Sequence, residues 1–257
     1  MLTRLKSMFL DILFPASCVS CDSEGSFLCD TCKQALPSLP PACIGCAMLT
    51  QTEGSYPAGR TCKRCRTKTL IRVFVSPFPY HHATVQRLIH EFKYHRIRSI
   101  SPLLGEFIVQ YMSYYQISLP EQAFIIPIPL HPRKERVRGF NQALLLAQEI
   151  SRSTSLTIDT HTLIRTASTT PQTKLTASNR RSNVENIFAL RDPHAVTYPR
   201  AFVRNARASR SCDTSAMRGK TIIIVDDVKT TGATLEQAAR VLKNAGAKEI
   251  WAITFAH

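Results

Sequence analysis

Apolar positions along this chain recur on two periods, and the periods mark out strands and helices. Residues 222–225, Ile-Ile-Ile-Val, form a short β-branched run bounded by acids, the pattern of a strand buried on both faces. Two carboxylates, Asp226 and Asp227, follow, then a loop of small and hydroxyl residues around Gly232, then the helix-periodic run Leu235, Ala238, Ala239, Val241 and Leu242. Residues 124–130, Phe-Ile-Ile-Pro-Ile-Pro-Leu, predict a second apolar strand, succeeded by a basic run and a helix carrying Phe140, Leu144, Ala147 and Ile150. Upstream, residues 73–80 read as strand, and Val85, Leu88, Ile89 and Phe92 as the buried stripe of a helix. His90, Lys93, Tyr94, His95, Arg96 and Arg98 fall on that helix's other side and end, where bases ordinarily sit in solvent and complement the helix dipole. A further helix is expected from about residue 102 to 115, with Tyr111, Tyr114 and Tyr115 as packing residues. At the start, Leu2, Leu5, Phe9, Ile12 and Leu13 make one face of a short amphipathic helix.

Before residue 70 the pattern is set by cysteine instead. Eight of the nine cysteines fall into four C-x-x-C pairs: Cys18/Cys21, Cys29/Cys32, Cys43/Cys46 and Cys62/Cys65. Two intervening residues let both thiolates of a pair face one tetrahedral cation, and two pairs complete four ligands. The spacing therefore predicts two zinc ions. Pairing neighbours puts Cys18, Cys21, Cys29 and Cys32 on one ion and Cys43, Cys46, Cys62 and Cys65 on the other; interleaved pairing is open. A redox C-x-x-C is not expected four times in one short segment. Residues 36–41, Leu-Pro-Ser-Leu-Pro-Pro, read as a stiff spacer. Such a segment has little core of its own, so metal is expected to supply much of its folding energy, and its core is expected to be separate from that of the rest.

The strand, loop and helix around Gly232 carry the candidate chemistry. Thr230, Thr231, Gly232, Ala233 and Thr234 can aim backbone N–H groups and hydroxyls at one anion, and the helix start adds about half a positive charge. The two carboxylates just upstream accept hydrogen bonds or a cation. A sugar phosphate with two free hydroxyls satisfies both. A Walker reading fails because Thr214 stands where the first P-loop glycine belongs, and Gly219-Lys220-Thr221 leads into a strand. A dinucleotide turn needs glycines directly after the strand, where Val228 and Lys229 sit. A plain strand-turn-helix with solvated acids is the remaining alternative. The stretch closely resembles the signature of type I phosphoribosyltransferases, which bind phosphoribosyl pyrophosphate (PRPP). That resemblance implies that Asp226 and Asp227 take the ribose hydroxyls and that residues 230–234 hold the 5′-phosphate.

Charge and length narrow the partners. The chain has 257 residues and a formal net charge of +15. The part up to Leu70 carries eight Lys/Arg against five Asp/Glu, so most of the excess lies downstream. Such a balance favours polyanions, nucleic acid or phosphate-rich substrates. Arg60, Lys63, Arg64, Arg66, Lys68 and Arg72 crowd beside the last cysteine pair, the kind of flank with which zinc ribbons meet nucleic acid or protein. Asp11 and Pro15 interrupt the apolar N-terminal run, which argues against an export signal. No apolar run reaches membrane-spanning length, and a cytoplasmic protein with reduced thiols is expected.

Across nearly the whole chain the residues resemble the ComF family, competence-associated proteins with a zinc ribbon ahead of a phosphoribosyltransferase-like domain. The matching residues are Leu88-Ile89-His90 with Lys93-Tyr94, Pro127-Ile128-Pro129-Leu130-His131-Pro132 and Arg138-Gly139-Phe140-Asn141-Gln142. Thr170-Pro171-Gln172-Thr173-Lys174-Leu175 with Arg180, Arg181, Asn183 and Val184, then residues 225–234, complete the match. The resemblance implies an α/β fold, a mainly parallel sheet of the type I phosphoribosyltransferase kind, preceded by a small cysteine-rich zinc ribbon domain. The expected division is 1–68 for the N-terminal helix and double ribbon and 69–257 for the phosphoribosyltransferase-like domain. Within the latter, Pro127, Ile128 and Pro129 would begin a pyrophosphate loop, and residues 169–181 with Lys174 would be a mobile lid. Residues 197–216, with Arg200, Arg204, Arg207 and Arg210, depart from the family as a basic insertion. Two functions follow from the resemblance: handling of incoming single-stranded DNA in natural transformation, with competence or recombination proteins as partners, or an active phosphoribosyltransferase. In the second, ribose 5-phosphate passes from PRPP to a nitrogen base, and magnesium arrives with the substrate.

Overall fold

The computed structural model describes residues 16–54, 57–94, 98–166, 187–191 and 217–257. In chain order it contains a short helix α1 (Asp30–Gln34), strand β1 (Ile71–Val75), helix α2 (Ala83–Tyr94), a 3-10 turn (Arg98–Ile100) and helix α3 (Ser101–Tyr114). Strand β2 (Phe124–Pro127), helices α4 (Pro132–Arg138) and α5 (Gln142–Thr154), and strands β3 (Thr157–Ile158), β4 (Leu163–Arg165) and β5 (Phe188–Leu190) follow. Strand β6 (Thr221–Val228), helix α6 (Ala233–Asn244) and strand β7 (Glu249–Ala256) end it. Five strands form one sheet in the order β1-β7-β6-β2-β3, every pair parallel, and β4 and β5 form a separate antiparallel pair.

The β-branched run at 222–225 lies on the central strand, β6. Its side chains alternate between two cores, Ile223 and Val225 toward helices α2, α3 and α5, and Ile222 and Ile224 toward α6. All four are fully buried, as a strand covered on both faces requires. The expected strand at 124–130 stops at Pro127, because Pro127 and Pro129 bring no N–H; only the Ile128 N–H reaches across, donating to Val225 O at 2.8 Å. The expected strand at 73–80 likewise closes at Val75, before Pro77 and Pro79. The basic run after His131 is helical rather than loop: the His131 ring accepts from the Arg133 N–H, Pro132 occupies the first turn, and Gly139 at φ 81° ends it. Tyr111 packs inside as expected, but Tyr114 is exposed.

The expectation of separate cores is overturned. Cys18, Leu28, Leu36 and Ala58 belong to the same buried cluster as Val85, Leu88, Ile108 and Phe255. Val19 O accepts from Arg87 of α2 at 2.9 Å, and Leu39 N–H donates to Pro77 O at 2.7 Å, so the proline-rich stretch is tied down rather than a free spacer. Residues 59–61 also pair antiparallel with β1, the edge of the sheet: Phe74 N–H donates to Gly59 O at 2.9 Å and Thr61 N–H to Arg72 O at 2.7 Å. The cysteine-rich segment thereby covers an edge that would otherwise present unpaired backbone groups. Gly59, at φ +81°, is required there, since a Cβ would stand 2.3 Å from Phe74 O. Among the described residues no helix is long and apolar enough to cross a membrane. The amphipathic N-terminal stretch lies outside the described residues.

A shared core predicts shared unfolding. Leu28→Ala should lower global stability by about 2–5 kcal/mol, the usual cost of emptying a buried leucine site. In urea the fluorescence of Trp251, the one tryptophan, should report a single transition moved to lower denaturant. An unmoved Trp251 transition would show that the cysteine-rich segment folds apart from the sheet.

Candidate functional site

The cysteine clusters assemble from tight knuckles. Asp22 N–H closes back on Cys18 O at 2.8 Å and Ala47 N–H on Cys43 O at 2.9 Å, which turns each C-x-x-C pair toward one point. The thiol sulfurs fall into two groups of neighbours, Cys18, Cys21, Cys29 and Cys32, and Cys43, Cys46, Cys62 and Cys65, with the ligand atoms of each within 4.8 Å of one another. Cys21 Sγ and Cys29 Sγ are 3.7 Å apart, as are Cys46 Sγ and Cys62 Sγ. A tetrahedral zinc with Zn–S of about 2.3 Å needs sulfurs about 3.8 Å apart, so both groups fit that ion. Backbone N–H groups are aimed at the buried sulfurs, Cys29 N–H at Cys18 Sγ (3.5 Å) and Cys62 N–H at Cys43 Sγ (3.4 Å). Burial pushes the Cys18 thiol up, but the donors from Cys29, Ser20 and Cys21 outweigh it and bring the group down to about 6. Cys18 is thereby ready as a thiolate ligand.

The second constellation sits at the C-terminal end of β6. Asp226 pairs with Thr254 on β7, and Val225 with Pro127 on β2, so the two carboxylates emerge beside the turn that begins at Pro127. Asp227 is 7 % exposed. Its Oδ2 lies 3.0 Å from Lys93 Nζ, which reaches in from the last turn of α2. Burial and the adjacent Asp227 charge push the Asp226 carboxyl up to about 7, against partial relief from the Asp227 N–H, Lys93 and Arg165. Burial would lower the Lys93 ammonium, yet Asp227 and Asp226 hold it above its ordinary value. Burial lowers Arg165, on β4, with Asp226 acting the other way. Lys134, on α4, is lowered by burial and by its cationic neighbours Arg165, Arg138 and Lys93. Arg138 is braced by Gln142 Oε1 at 3.1 Å and by the Tyr94 ring at 5.4 Å. Among the described residues, Lys93 and Arg165 thus act on the acid pair, and Lys134 and Arg138 stand next to those two cations.

The loop that follows is open. Thr230, Thr231 and Ala233 are exposed, and Gly232 and Thr234 partly so. Gly232, at φ 81°, turns the chain into α6 and caps it without a side chain. Within the loop the Ala233 N–H donates to Thr231 Oγ1 at 3.4 Å. Across the cleft, Asn141 fixes the Pro127–Pro129 turn: its Nδ2 donates to Ile128 O at 3.0 Å while its Oδ1 caps α5 through the Ala143 N–H. Chemically, the arrangement offers paired acceptors for a diol, the N–H groups of an exposed loop at a helix start for an anion, and several cations for a second anion.

The structure brings Asp226, Asp227, Pro127, Ile128, Pro129 and residues 230–234 to one end of the sheet. Lys174 with the 169–181 stretch, and the basic 197–216 stretch, lie outside the described residues. The expectation that Lys93 is a solvated helix-end base is corrected: its side chain is 19 % exposed and paired with Asp227. Arg165 was not foreseen; it ends a three-residue strand with no motif around it.

Comparison with known proteins follows the same division. The family model of the double zinc ribbon domain matches residues 9–69, and that of the phosphoribosyl transferase domain matches residues 141–257. A protein named DNA utilization protein YhgH from Escherichia coli O157:H7 is 28 % identical over 232 residues, covering 88 % of this chain and 89 % of its own. Competence protein F from Haemophilus influenzae is 27 % identical over 230 residues, 87 % of either chain. Competence protein ComFC from Bacillus subtilis is 27 % identical over 249 residues, 89 % of either chain.

The raised carboxyl has a pH consequence. For Asp226 the neutral form is favoured by folding, so its contribution to stability is full below the ordinary value of 3.8 and lost as pH rises through about 7. Asp226→Asn should therefore lose less thermal stability than the wild type between about pH 5 and about pH 8, and should melt higher at the upper pH. Identical melting shifts for the two proteins would contradict the burial of that charge.

Proposed function

We propose that this chain, a member of the ComF family with a double zinc ribbon ahead of a phosphoribosyltransferase domain, handles incoming single-stranded DNA during natural transformation and carries a PRPP-type pocket. The observation that carries the pocket is the junction of β6 and α6. There an acid pair and an open loop at a helix start stand side by side, within reach of one ribose 5-phosphate. In this reading Asp226 and Asp227 accept from the ribose hydroxyls, and Thr230, Thr231, Gly232, Ala233 and Thr234 hold the 5′-phosphate. Pro127, Ile128 and Pro129 lead the turn facing the pyrophosphate, where Lys134 and Arg138 supply positive charge and Lys174 closes from the lid. Magnesium, when it arrives with the ligand, neutralises pyrophosphate charge. Lys93 serves as the acid pair's counter-ion in the free protein and is exchanged for ligand hydroxyls on binding.

The DNA reading draws on the names of the relatives, which speak of competence and DNA utilization, and on the surface of the second ribbon. Lys63, Arg64, Arg66 and Lys68 are all exposed there. Lys63, Arg64 and Arg66 border a groove of about 930 Å³ with Met48 and Leu49. A basic rim beside apolar side chains suits a single strand with unstacked bases. In this reading the protein works in the cytoplasm, with competence or recombination proteins as its neighbours. An active phosphoribosyltransferase is the second reading, favoured by the phosphoribosyl transferase match over residues 141–257.

One set of titrations decides between the readings. The wild type should bind PRPP with magnesium in a calorimeter, and Asp226→Asn with Asp227→Asn should weaken binding at least about tenfold, since amides accept more weakly than carboxylates. Single-stranded DNA should bind with a steep salt dependence, each neutralised phosphate adding about −0.7 to the slope of log K against log salt. Lys63→Glu with Arg64→Glu should flatten that slope. No PRPP binding by folded protein refutes the pocket, and salt-independent DNA affinity refutes the DNA reading. Pyrophosphate released only when a particular base is added, and lost in the double asparagine variant, would establish the transferase.

A further inference from the structure

The loop at 230–234 has little internal bonding, so its shape is set by its two flanks. Both flanks engage the second ribbon. On the far side, Glu236 in the first turn of α6 accepts from Thr69 Oγ1 at 2.7 Å through Oε2 and from the Leu70 N–H at 2.9 Å through Oε1. Thr69 is in turn tied to the cluster, since its N–H donates to Cys65 O at 3.2 Å. A single carboxylate therefore links the helix that receives the loop to the residue after the last zinc knuckle. Pairs of bonds to one charged acceptor are stronger and better directed than a neutral bond.

On the near side, the Lys229 side chain runs along the loop, its Cε 3.3 Å from where a Cβ on Gly232 would stand. The Lys229 N–H donates to Ala256 O at 2.9 Å, and its Nζ stands 5.6 Å over the Phe74 ring. The side chain lines a small pocket of about 60 Å³ together with Cys43, Ile44 and Ala47 of the second ribbon, Tyr111 and His257. Burial pushes its ammonium pKa down, in keeping with a cation drawn into the protein. Phe74 itself is bonded to Gly59, at the foot of the same ribbon. The first ribbon packs elsewhere, against α2 through Val19, and Ser20 lies 3.3 Å from Thr84 on that helix.

We propose that Lys229 and Glu236 are positioning residues that fasten the phosphate loop to the second cysteine cluster, so that phosphoryl-ligand affinity and zinc retention at Cys43, Cys46, Cys62 and Cys65 are coupled. The proposal rests on reading 230–234 as a phosphate loop. Coupling between two sites is reciprocal: whatever loosens the ribbon weakens the ligand, and whatever fills the loop holds the ribbon. The first cluster, which touches neither flank, is outside this linkage.

The test uses the full chain carrying two zinc ions and ribose 5-phosphate as the probe. Glu236→Ala should bind the probe about tenfold more weakly than the wild type while its melting curve stays cooperative. Glu236→Gln, which keeps an acceptor for Leu70, should recover most of that loss, and Lys229→Met should fall between. With a chromogenic chelator, zinc release should show two phases, assigned by the one missing in Cys62→Ser. Saturating probe should slow the second-cluster phase in the wild type and leave the first-cluster phase unchanged. In Glu236→Ala the second-cluster phase should be faster and indifferent to the probe. Equal probe affinity in wild type and Glu236→Ala, or a second-cluster phase untouched by the probe, overturns the coupling alone. No binding of ribose 5-phosphate by the two-zinc wild type overturns the phosphate-loop reading and the proposal with it.

Discussion

Two adjacent carboxylates at the end of a buried parallel strand are tolerable only if cations are built around them. Asp226 and Asp227 follow four fully buried β-branched residues, and neither can withdraw to bulk water without unzipping β6 from β2 and β7. Lys93 answers Asp227 directly at 3.0 Å and Arg165 acts on Asp226, while Arg138 and Lys134 neighbour those two cations. These four cations come from three stretches, Lys93 from α2, Arg165 from β4, and Lys134 and Arg138 both from α4. The helices and the small antiparallel pair are therefore held in place for a charge balance as well as for their apolar faces. A site kept in this state is electrostatically unsatisfied in part, as the raised Asp226 carboxyl shows, and a ligand that supplies donors or a cation relieves it.

The cysteine-rich segment is a structural part of the sheet. Its first half contributes Cys18, Leu28 and Leu36 to the main core, and its second half closes the β1 edge through Gly59 and Thr61. Both roles explain why a segment with so few large apolar residues adopts a fixed place: the metal knuckles set its turns, and the sheet supplies the hydrophobic partner it lacks. Glu236 and Lys229 then carry the connection to the loop that leaves β6.

Much of this was legible in the sequence because the relevant signals are local. The Ile-Ile-Ile-Val run, the small-residue loop and the stripe that begins at Leu235 lie within two dozen residues, so strand, turn and helix could be read together. The four C-x-x-C pairs were equally plain, although spacing alone left their partition open until the fold brought neighbours together. Proline chemistry decided what periodicity had overstated: the apolar stretch at 124–130 has the composition of a long strand, but Pro127 and Pro129 withhold the N–H groups that would extend it. Lys93 was misread because a lysine in a last helical turn looks alike whether it faces water or a carboxylate 134 residues away in sequence. Arg165 lay deeper still, on a strand of three residues whose role depends on a tertiary neighbour. The shared core was missed for the same reason, since Leu28 and Leu36 have no periodic pattern and acquire a partner only through folding.

The account's central claim is that Asp226 and Asp227, with the loop from Thr230 to Thr234, form one ribose-phosphate site whose resting counter-ion is Lys93. A crystal structure of the protein with PRPP and magnesium tests it most directly. The account predicts the ribose diol on the two carboxylates, the 5′-phosphate on the loop N–H groups, and Lys93 Nζ moved away from its 3.0 Å contact with Asp227. A ligand bound elsewhere, or one bound at this loop with the Lys93–Asp227 pair unchanged and the ribose hydroxyls turned to solvent, would contradict it.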